Sequence, residues 1–177
     1  AVLSGTPDAG NQNAWIAAMV EALKDPKYAK MTLVDTVYGD DQDDKSYREM
    51  QGLVKAYPNL KGVISPTTIG IRSGAKAIID GGLVGKVFIT GLGLPSEMKD
   101  AVLKGACDSF AIWNPVDYGY SSTQIMINIL NGAEAGPGST VKMGRMGETT
   151  VGDDGQAAMG DPFTFHKSNV EEFAKIF

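Results

Sequence analysis

The sequence has 177 residues, of which 43% are hydrophobic and 21% charged, which is typical of a globular chain with a sizeable core rather than of a disordered one. Its 16 basic and 21 acidic residues leave a net charge of −5, which argues against nucleic acid as a partner because phosphate backbones attract clusters of Lys and Arg. No apolar run approaches the ~18 residues of a membrane-spanning helix, and a chain that opens on Ala1 inside a strand-like run is expected to be a processed or truncated product.

Short apolar runs alternate with helical patterns along the first three quarters of the chain. Strands are predicted over residues 1–5, 31–37, 62–65, 86–93 and 108–113. Helices are predicted over residues 11–24, 46–57, 70–81, 96–105 and 116–131, with Ser96 starting the fourth and Gly105 ending it. Five strands that alternate with five helices indicate an α/β fold, a doubly wound parallel sheet covered by helices on both faces.

The alternation of predicted strands and helices ends after Gly132. Residues 134–139, EAGPGS, have the composition of a linker. Within residues 147–165, Asp154-Gly155 is a strong turn signal between two strand-like runs and predicts a β-hairpin. A short helix over residues 168–177 is predicted to close the chain.

Polar side chains gather where the predicted strands end, which in open α/β sheets is where ligands bind. They are mostly neutral donors and acceptors, with two tryptophans and two glycines: Asp8, Asn11, Gln12, Asn13, Trp15, Tyr38, Asp40, Asp41, Pro66, Thr67, Thr68, Gly91, Gly93, Pro95, Trp113, Asn114 and Asp117. Side-chain amides can donate to and accept from neighbouring hydroxyls, and an indole face can cover a sugar ring. Because these loops lack Lys and Arg, the pattern disfavours phosphate or carboxylate ligands and indicates a neutral polyol, most simply a sugar.

Structural alternatives stay open for parts of this set. Asn11 and Asn13 are also typical of helix caps, and Trp15 by itself is interpreted as helix core. The pair Gly91 and Gly93 is interpreted as giving a ligand room, because the third glycine of a dinucleotide-binding fingerprint is replaced by Ser96.

None of the remaining reactive residues indicates a catalytic site, a metal site or a cofactor. The acidic stretch GDDQDDK (39–45) lacks the glycine and glutamate of an EF-hand loop in any register, and it is interpreted as a solvated loop. The one histidine, His166, argues against a His-based triad or metal site and is expected to be structural or exposed. The one cysteine, Cys107, is expected to be a small buried hydrophobe.

Four segments of the sequence resemble those of a known protein family: SGTPDAGNQNAW, AYPNLKGVISPTTIGI, ITGLGLPSEM and FAIWNPVDYGY. In their order and spacing they closely resemble the periplasmic sugar-binding proteins of bacterial ABC importers, specifically the rhamnose-binding branch, with the autoinducer-2 binding proteins as near relatives. The resemblance covers essentially all of the chain. It implies two doubly wound lobes joined by three hinge strands, with the sugar held between them.

The resemblance implies that residues 1–115 and 141–177 form the C-terminal lobe with its tail. Residues 116–140 would then be a helix and linker that belong to a missing N-terminal lobe. The sugar contacts that it implies fall on the loops described above, with Asn13 as a further candidate: Asn11, Gln12, Asn13, Pro66, Thr67, Thr68, Trp113 and Asn114.

Departures from related branches narrow the expected ligand. The resemblance places Asn11 where autoinducer-2 binders have an aspartate. It places Gly93 and Trp113 where the ribose-binding branch has an aspartate and a glutamine. The ligand expected from these differences is rhamnose or a similar 6-deoxyhexose, whose methyl group could lie against Trp113.

The function implied by the resemblance is binding without catalysis. The chain would be part of a periplasmic solute-binding protein that delivers a monosaccharide to an ABC permease. The alternative is the sugar-sensing effector domain of a LacI-type transcription regulator, which shares the fold. Because the helix over residues 116–131 would normally be covered by the missing lobe, its apolar stripe (Ile125, Met126, Ile129 and Leu130) is expected to drive homodimerisation or to make the helix fold back.

Overall fold

A computed structural model describes all 177 residues and divides into two compact units. The first unit comprises residues 1–111 and 164–177, and the second comprises residues 112–163. The strands are β1 Val2–Ser4, β2 Thr36–Tyr38, β3 Gly62–Ser65, β4 Phe88–Gly91, β5 Ser109–Ile112, β6 Thr140–Lys142, β7 Glu148–Thr150 and β8 Phe163–His166. The helices are α1 Gly10–Ala22, α2 Asp43–Ala56, α3 Thr68–Asp80, α4 Pro95–Lys104, α5 Pro115–Leu130 and α6 Val170–Phe173.

The first unit is built on a parallel sheet with the strand order β2-β1-β3-β4. Val2 lies opposite Thr36 on one side and Ile64 on the other, so β1 is central. A parallel bridge between Leu92 and Ala111 brings β5 next to β4. The predicted α/β fold with a parallel sheet is therefore confirmed, and the strand order reverses between β1 and β3, where ligands bind in such sheets.

The core of the first unit lies between the sheet and the packed helices α2, α3, α4 and α6. Its largest fully buried side chains are Leu3, Met50, Leu53, Ile71, Ile78, Ile89, Met98, Phe110 and Phe165. Phe165 returns the C-terminal tail to this core, because its ring stacks on Phe110 at 5.2 Å and meets the edges of Phe173 and Phe177. The apolar residues at helical spacing in α2 and α3 thus pack as their periodicity indicates.

Helix α1 is the exception to this packing. Right-handed crossovers place it on the sheet face opposite α2, α3 and α4, where Met19 and Leu23 line an open apolar cavity of about 770 Å³. Trp15 is 39% exposed, so its interpretation as helix core is wrong. The reason is that no other helix of the first unit closes this face over α1.

Two local predictions about α4 have different outcomes. Ser96 does not start this helix, because Pro95 is its first residue and Leu94 occupies the cap position without a side-chain hydrogen bond. Proline suits this position because the first turn has no use for its missing N–H. Gly105 ends the helix in the left-handed conformation, with φ of 83°, as predicted.

The predicted hairpin around Asp154-Gly155 is wrong, although the turn itself forms. The amide of Gly155 donates to the carbonyl of Gly152 over 2.9 Å. However, β7 pairs antiparallel with β6, and β8 pairs with β5 instead. Burial of Phe165 in the core of the first unit gives β8 a partner that local turn chemistry could not reveal.

The second unit consists of α5 and the hairpin of β6 and β7. The Arg145 guanidinium lies 4.0 Å from the centre of the Tyr120 ring and pairs with Asp117 at 2.5 Å, which ties the hairpin connection to α5. Met126 is 63% exposed and Leu130 79% exposed on the same helix. None of the six helices combines the length and the hydrophobicity that spanning a lipid bilayer requires.

Candidate functional site

Three loops of the first unit meet at the carboxyl ends of its strands. The Gly39 amide donates to the Ser4 carbonyl over 2.8 Å, which joins the end of β2 to the end of β1. The Ser65 hydroxyl donates to the Leu3 carbonyl over 2.7 Å, which joins the end of β3 to β1. The residues that follow β1, β2 and β3 therefore start from one shared edge, as the parallel topology requires.

Gln12 anchors the loop that follows β1. Its side-chain oxygen accepts from the Ser4 hydroxyl at 2.7 Å and from the Gly5 amide at 2.8 Å. The residue is only 8% exposed, so this oxygen satisfies two buried donors. The amide nitrogen of Gln12 donates to no group of the protein. This nitrogen therefore remains available to donate to a ligand, whereas the side-chain oxygen does not.

The two asparagines beside Gln12 differ in their surroundings. Asn13 donates from its side chain to the Pro7 carbonyl over 2.8 Å and thereby joins the first turn of α1 to the loop before it. Asn11 is exposed and its side chain forms no hydrogen bond. Neither caps α1, because the cap position is Ala9. Of this pair, Asn11 is the side chain with free donors and acceptors.

The loop after β3 contributes Pro66, Thr67 and Thr68. Pro66 and Thr67 are buried, and Thr68 is half-buried as the first residue of α3. The Thr67 hydroxyl donates to the carboxylate of Asp41. Within the first unit, the loops and first helical turns that follow β1 and β3 therefore gather six predicted site residues at one sheet edge: Asn11, Gln12, Asn13, Pro66, Thr67 and Thr68.

Asp41 is one of the polar residues at the strand ends, but the sequence does not predict it as a sugar contact. The stretch GDDQDDK is interpreted as a solvated loop, and the Asp41 residue is exposed, but its carboxylate also reaches the end of β3 through Thr67. It also lies against Gly5, since a Cβ at Gly5 would be 2.8 Å from Asp41 Oδ2. The available signal was its position three residues after β2, which belongs to the same set of strand ends.

Trp113 and Asn114 belong to the second unit. The indole nitrogen of Trp113 donates to the Gly160 carbonyl over 2.6 Å. The Asn114 side chain accepts from the Val116 amide over 2.9 Å and caps α5. Both side chains thus make contacts within their own unit, and their roles towards a ligand stay predictions.

The glycines after β4 do not serve the purpose expected of them. A Cβ on Gly91, whose φ is 141°, would overlap the Ser65 carbonyl oxygen. A Cβ on Gly93 would lie 2.8 Å from the Met98 side chain and 3.0 Å from the Phe110 ring. The interpretation that they give a ligand room is wrong, because they give room to the neighbouring strand and the core.

The basic residues near this edge are already neutralised. Arg72 binds Asp43 through two hydrogen bonds of 2.9 and 2.8 Å and also pairs with Glu97, at the starts of α2 and α4. The Arg72 guanidinium holds the pKa of the Asp43 carboxyl below its usual value. Lys45 pairs with Asp40 at 2.6 Å. The positive charges of Arg72 and Lys45 are therefore compensated by carboxylates and do not attract an anionic ligand.

Other parts of the chain offer less to a polar ligand. The cavity beside α1 is lined by residues at the opposite ends of the strands, including Ala1, Gly62 and Phe88, and its lining is mainly apolar. No group of three or more His, Cys, Asp or Glu side chains is arranged to hold a metal ion. Burial raises the pKa of the Cys107 thiol to about 12.

Comparison with known proteins shows the family to which the chain belongs. The profile of the family "Periplasmic binding protein domain" matches residues 1–134. The crystal structure of a sugar ABC transporter protein from Actinomyces odontolyticus ATCC 17982 is 40% identical, with a TM-score of 0.81, over 97% of this chain and 56% of its own. An ABC transporter solute binding protein from Clostridium phytofermentas with bound L-rhamnose is 37% identical, with a TM-score of 0.87, over 99% of this chain and 59% of its own.

A more distant structure shares the fold alone. LsrB from Clostridium saccharobutylicum in complex with AI-2 is 18% identical, with a TM-score of 0.85, over 97% of this chain and 58% of its own. The chain thus spans less than two thirds of the length of each of these three proteins. With a family profile over residues 1–134 and two solved relatives at 40% and 37% identity, the chain belongs to the periplasmic binding protein domain family.

Proposed function

We propose that this chain is the C-terminal lobe of a solute-binding protein of a carbohydrate ABC importer. The observation that carries the proposal is the carboxyl edge of the parallel sheet, where neutral amide and hydroxyl groups of Asn11, Gln12, Thr67 and Thr68 gather. Such groups match the alternating donors and acceptors of a polyol. The pairing of Arg72 and Lys45 with carboxylates removes the attraction that an anionic ligand would need.

The ligand is a neutral monosaccharide, and rhamnose or a similar 6-deoxyhexose is preferred. This preference is supported by the relative from Clostridium phytofermentas, which has bound L-rhamnose and is 37% identical to this chain. Trp113, at the start of the second unit, would cover the apolar side of the sugar, and Asn114 would lie beside it. Residues 116–140 would belong with the other lobe of the full-length protein.

The protein is proposed to work in the periplasm and to pass the sugar to a membrane permease without catalysis. Closure of two lobes around the ligand would be the mechanism, as in other two-lobe binding proteins. A fragment with one lobe retains only part of the contacts. We therefore expect this 177-residue chain to bind the sugar much more weakly than the full-length protein does.

A thermal-shift screen of the full-length protein tests the proposal. With L-rhamnose at roughly 100 times its Kd, mass action adds about 2.7 kcal/mol. Because this chain spans only 56–59% of its relatives' length, the full-length protein is larger, and its Tm should rise by roughly 4 °C. D-Glucose 6-phosphate serves as an anionic control and should give no shift. The proposal is contradicted if no neutral hexose, pentose or deoxyhexose raises Tm.

Titration calorimetry on both lengths of the protein tests the role of the second lobe. Weaker binding by the 177-residue chain is expected, since the contacts of the other lobe are absent. Equal affinity of the two proteins for L-rhamnose would show that the carboxyl edge of this lobe is sufficient, against the two-lobe mechanism.

A further inference from the structure

Two polar groups flank Gly5 at the end of β1 and remain available to a ligand. The Gln12 side chain holds the Gly5 amide through its oxygen, which leaves its amide nitrogen as a donor that binds nothing in the protein. Asp41 Oδ2 also lies against Gly5, so close that a Cβ there would be 2.8 Å away. A free donor and a carboxylate oxygen therefore both lie beside Gly5.

The surroundings of Asp41 fix its carboxylate without neutralising it. Its other oxygen accepts from the Thr67 hydroxyl, which directs the side chain towards the end of β3. Asp41 takes part in no salt bridge, whereas its neighbour Asp40 is paired with Lys45 and Asp43 is paired with Arg72. Of these three acids, Asp41 alone keeps an uncompensated charge at the edge of the sheet.

The backbone conformation shows that this placement has a cost. Asp40 and Asp41 are the only non-glycine residues with positive φ, at 53° and 49°. Such conformations are unfavourable for side chains with a Cβ, although Asp and Asn tolerate them better than most residues. A glycine at position 41 would adopt this φ without strain. The backbone conformation therefore gives no reason for a carboxylate at this position.

We propose that Asp41 is a ligand-contacting residue that determines the charge specificity of the site. Its carboxylate accepts a hydrogen bond from a sugar hydroxyl, while the free amide nitrogen of Gln12 donates to an oxygen of the same sugar. An anionic sugar would bring a second negative charge next to an uncompensated carboxylate, and it is rejected for that reason. This inference rests on the proposed sugar-binding function.

The substitution Asp41→Asn separates ligand recognition from folding. Asparagine tolerates the left-handed backbone and keeps an oxygen for the Thr67 hydroxyl, so only the charge is removed. Asp44→Asn is a matched control, because Asp44 lies in the same acidic stretch and is exposed without a salt bridge or hydrogen bond. Asp41→Gly is a second variant, which fits the φ of 49° and removes the carboxylate altogether.

The test is titration calorimetry of the full-length protein with L-rhamnose and with D-galacturonate as an anionic probe. Because hydrogen bonds to charged groups are strong, Asp41→Asn and Asp41→Gly should weaken L-rhamnose binding by about tenfold or more. The preference for L-rhamnose over D-galacturonate should narrow in both variants. Asp44→Asn should leave both affinities unchanged.

Two outcomes would overturn the inference in distinguishable ways. If the unmodified protein binds L-rhamnose and both Asp41 variants bind it within twofold of that affinity, Asp41 does not contact the ligand, and the proposed function is unaffected. If the unmodified protein binds no neutral sugar, the proposed function fails and the inference fails with it.

Discussion

Replacing Gln12 by methionine should destabilise the first unit, because this side chain supports the fold as well as the candidate site. Methionine has a similar length and fills the same space, but it offers no oxygen to Ser4 and Gly5. The Ser4 hydroxyl and the Gly5 amide, both in buried residues, would lose the acceptor that now lies 2.7 and 2.8 Å away.

The size of the effect follows from these two hydrogen bonds. Leaving a buried donor unsatisfied costs about 1–3 kcal/mol, and the serine hydroxyl can rotate towards another acceptor, so we expect a total loss of ~2–4 kcal/mol. This is a large share of the roughly 5–15 kcal/mol that stabilises a typical domain. With an m-value of about 2 kcal/mol/M, the urea midpoint should fall by about 1–2 M.

The assay is urea denaturation of the ligand-free protein followed by circular dichroism, with the m-value as a check that the unfolded state is unchanged. Asn11→Met is the matched control, since it introduces the same residue at the adjacent, exposed position of α1. It should change the free energy of unfolding by less than ~0.5 kcal/mol. A loss below that value for Gln12→Met, or equal losses for the two variants, would refute the reasoning.

Three further predictions concern other parts of the chain. Gly91→Ala should lower the free energy of unfolding by about 3 kcal/mol or more, because alanine would be strained at a φ of 141° and its Cβ would lie 2.6 Å from the Ser65 carbonyl carbon. The control is Gly52→Ala, in open space on α2, which should leave the free energy of unfolding unchanged or slightly raised in the same urea titration. Cys107, whose buried thiol has its pKa raised to about 12, should react with Ellman's reagent at pH 8 only after unfolding, and rapid reaction of the folded chain would contradict its burial. The 177-residue chain should self-associate through α5, and Leu130→Lys should shift light scattering towards the monomer, because this side chain is 79% exposed; a wild-type chain that is already monomeric would contradict this expectation.

Much of the fold could be predicted from local sequence. The alternation of short apolar runs with helical periodicity determines the order of strands and helices, because each element must bury one apolar face. The glycine at position 105 ends α4 for a reason contained in its own backbone freedom. In a parallel sheet the carboxyl ends of the strands lie at one edge. For this reason Gln12 and Thr67, which follow β1 and β3, could be placed at the same edge from the sequence.

The partners of individual groups could not be predicted in this way. Asp41 is separated from Thr67 by a whole helix and a strand, so nothing local distinguishes it from the solvated acids around it. The pairing of β8 with β5 depended on where Phe165 finds its aromatic neighbours. Likewise, Trp15 has the spacing of a core residue but lies on a face that no second helix of its unit covers.

The sequence by itself therefore determined the class of fold, the position of the candidate site and the neutral character of most of the groups gathered there, because these depend on periodicity and on composition at strand ends. Only the tertiary structure decided which of these groups are free to meet a ligand. Gln12 has one end committed to the protein and one end available, and Asn13 is committed to its loop. Asp41 joins the site through a hydrogen bond across the sheet edge. The physical reason is that hydrogen bonds between distant loops are formed by folding and leave no periodic trace in the chain.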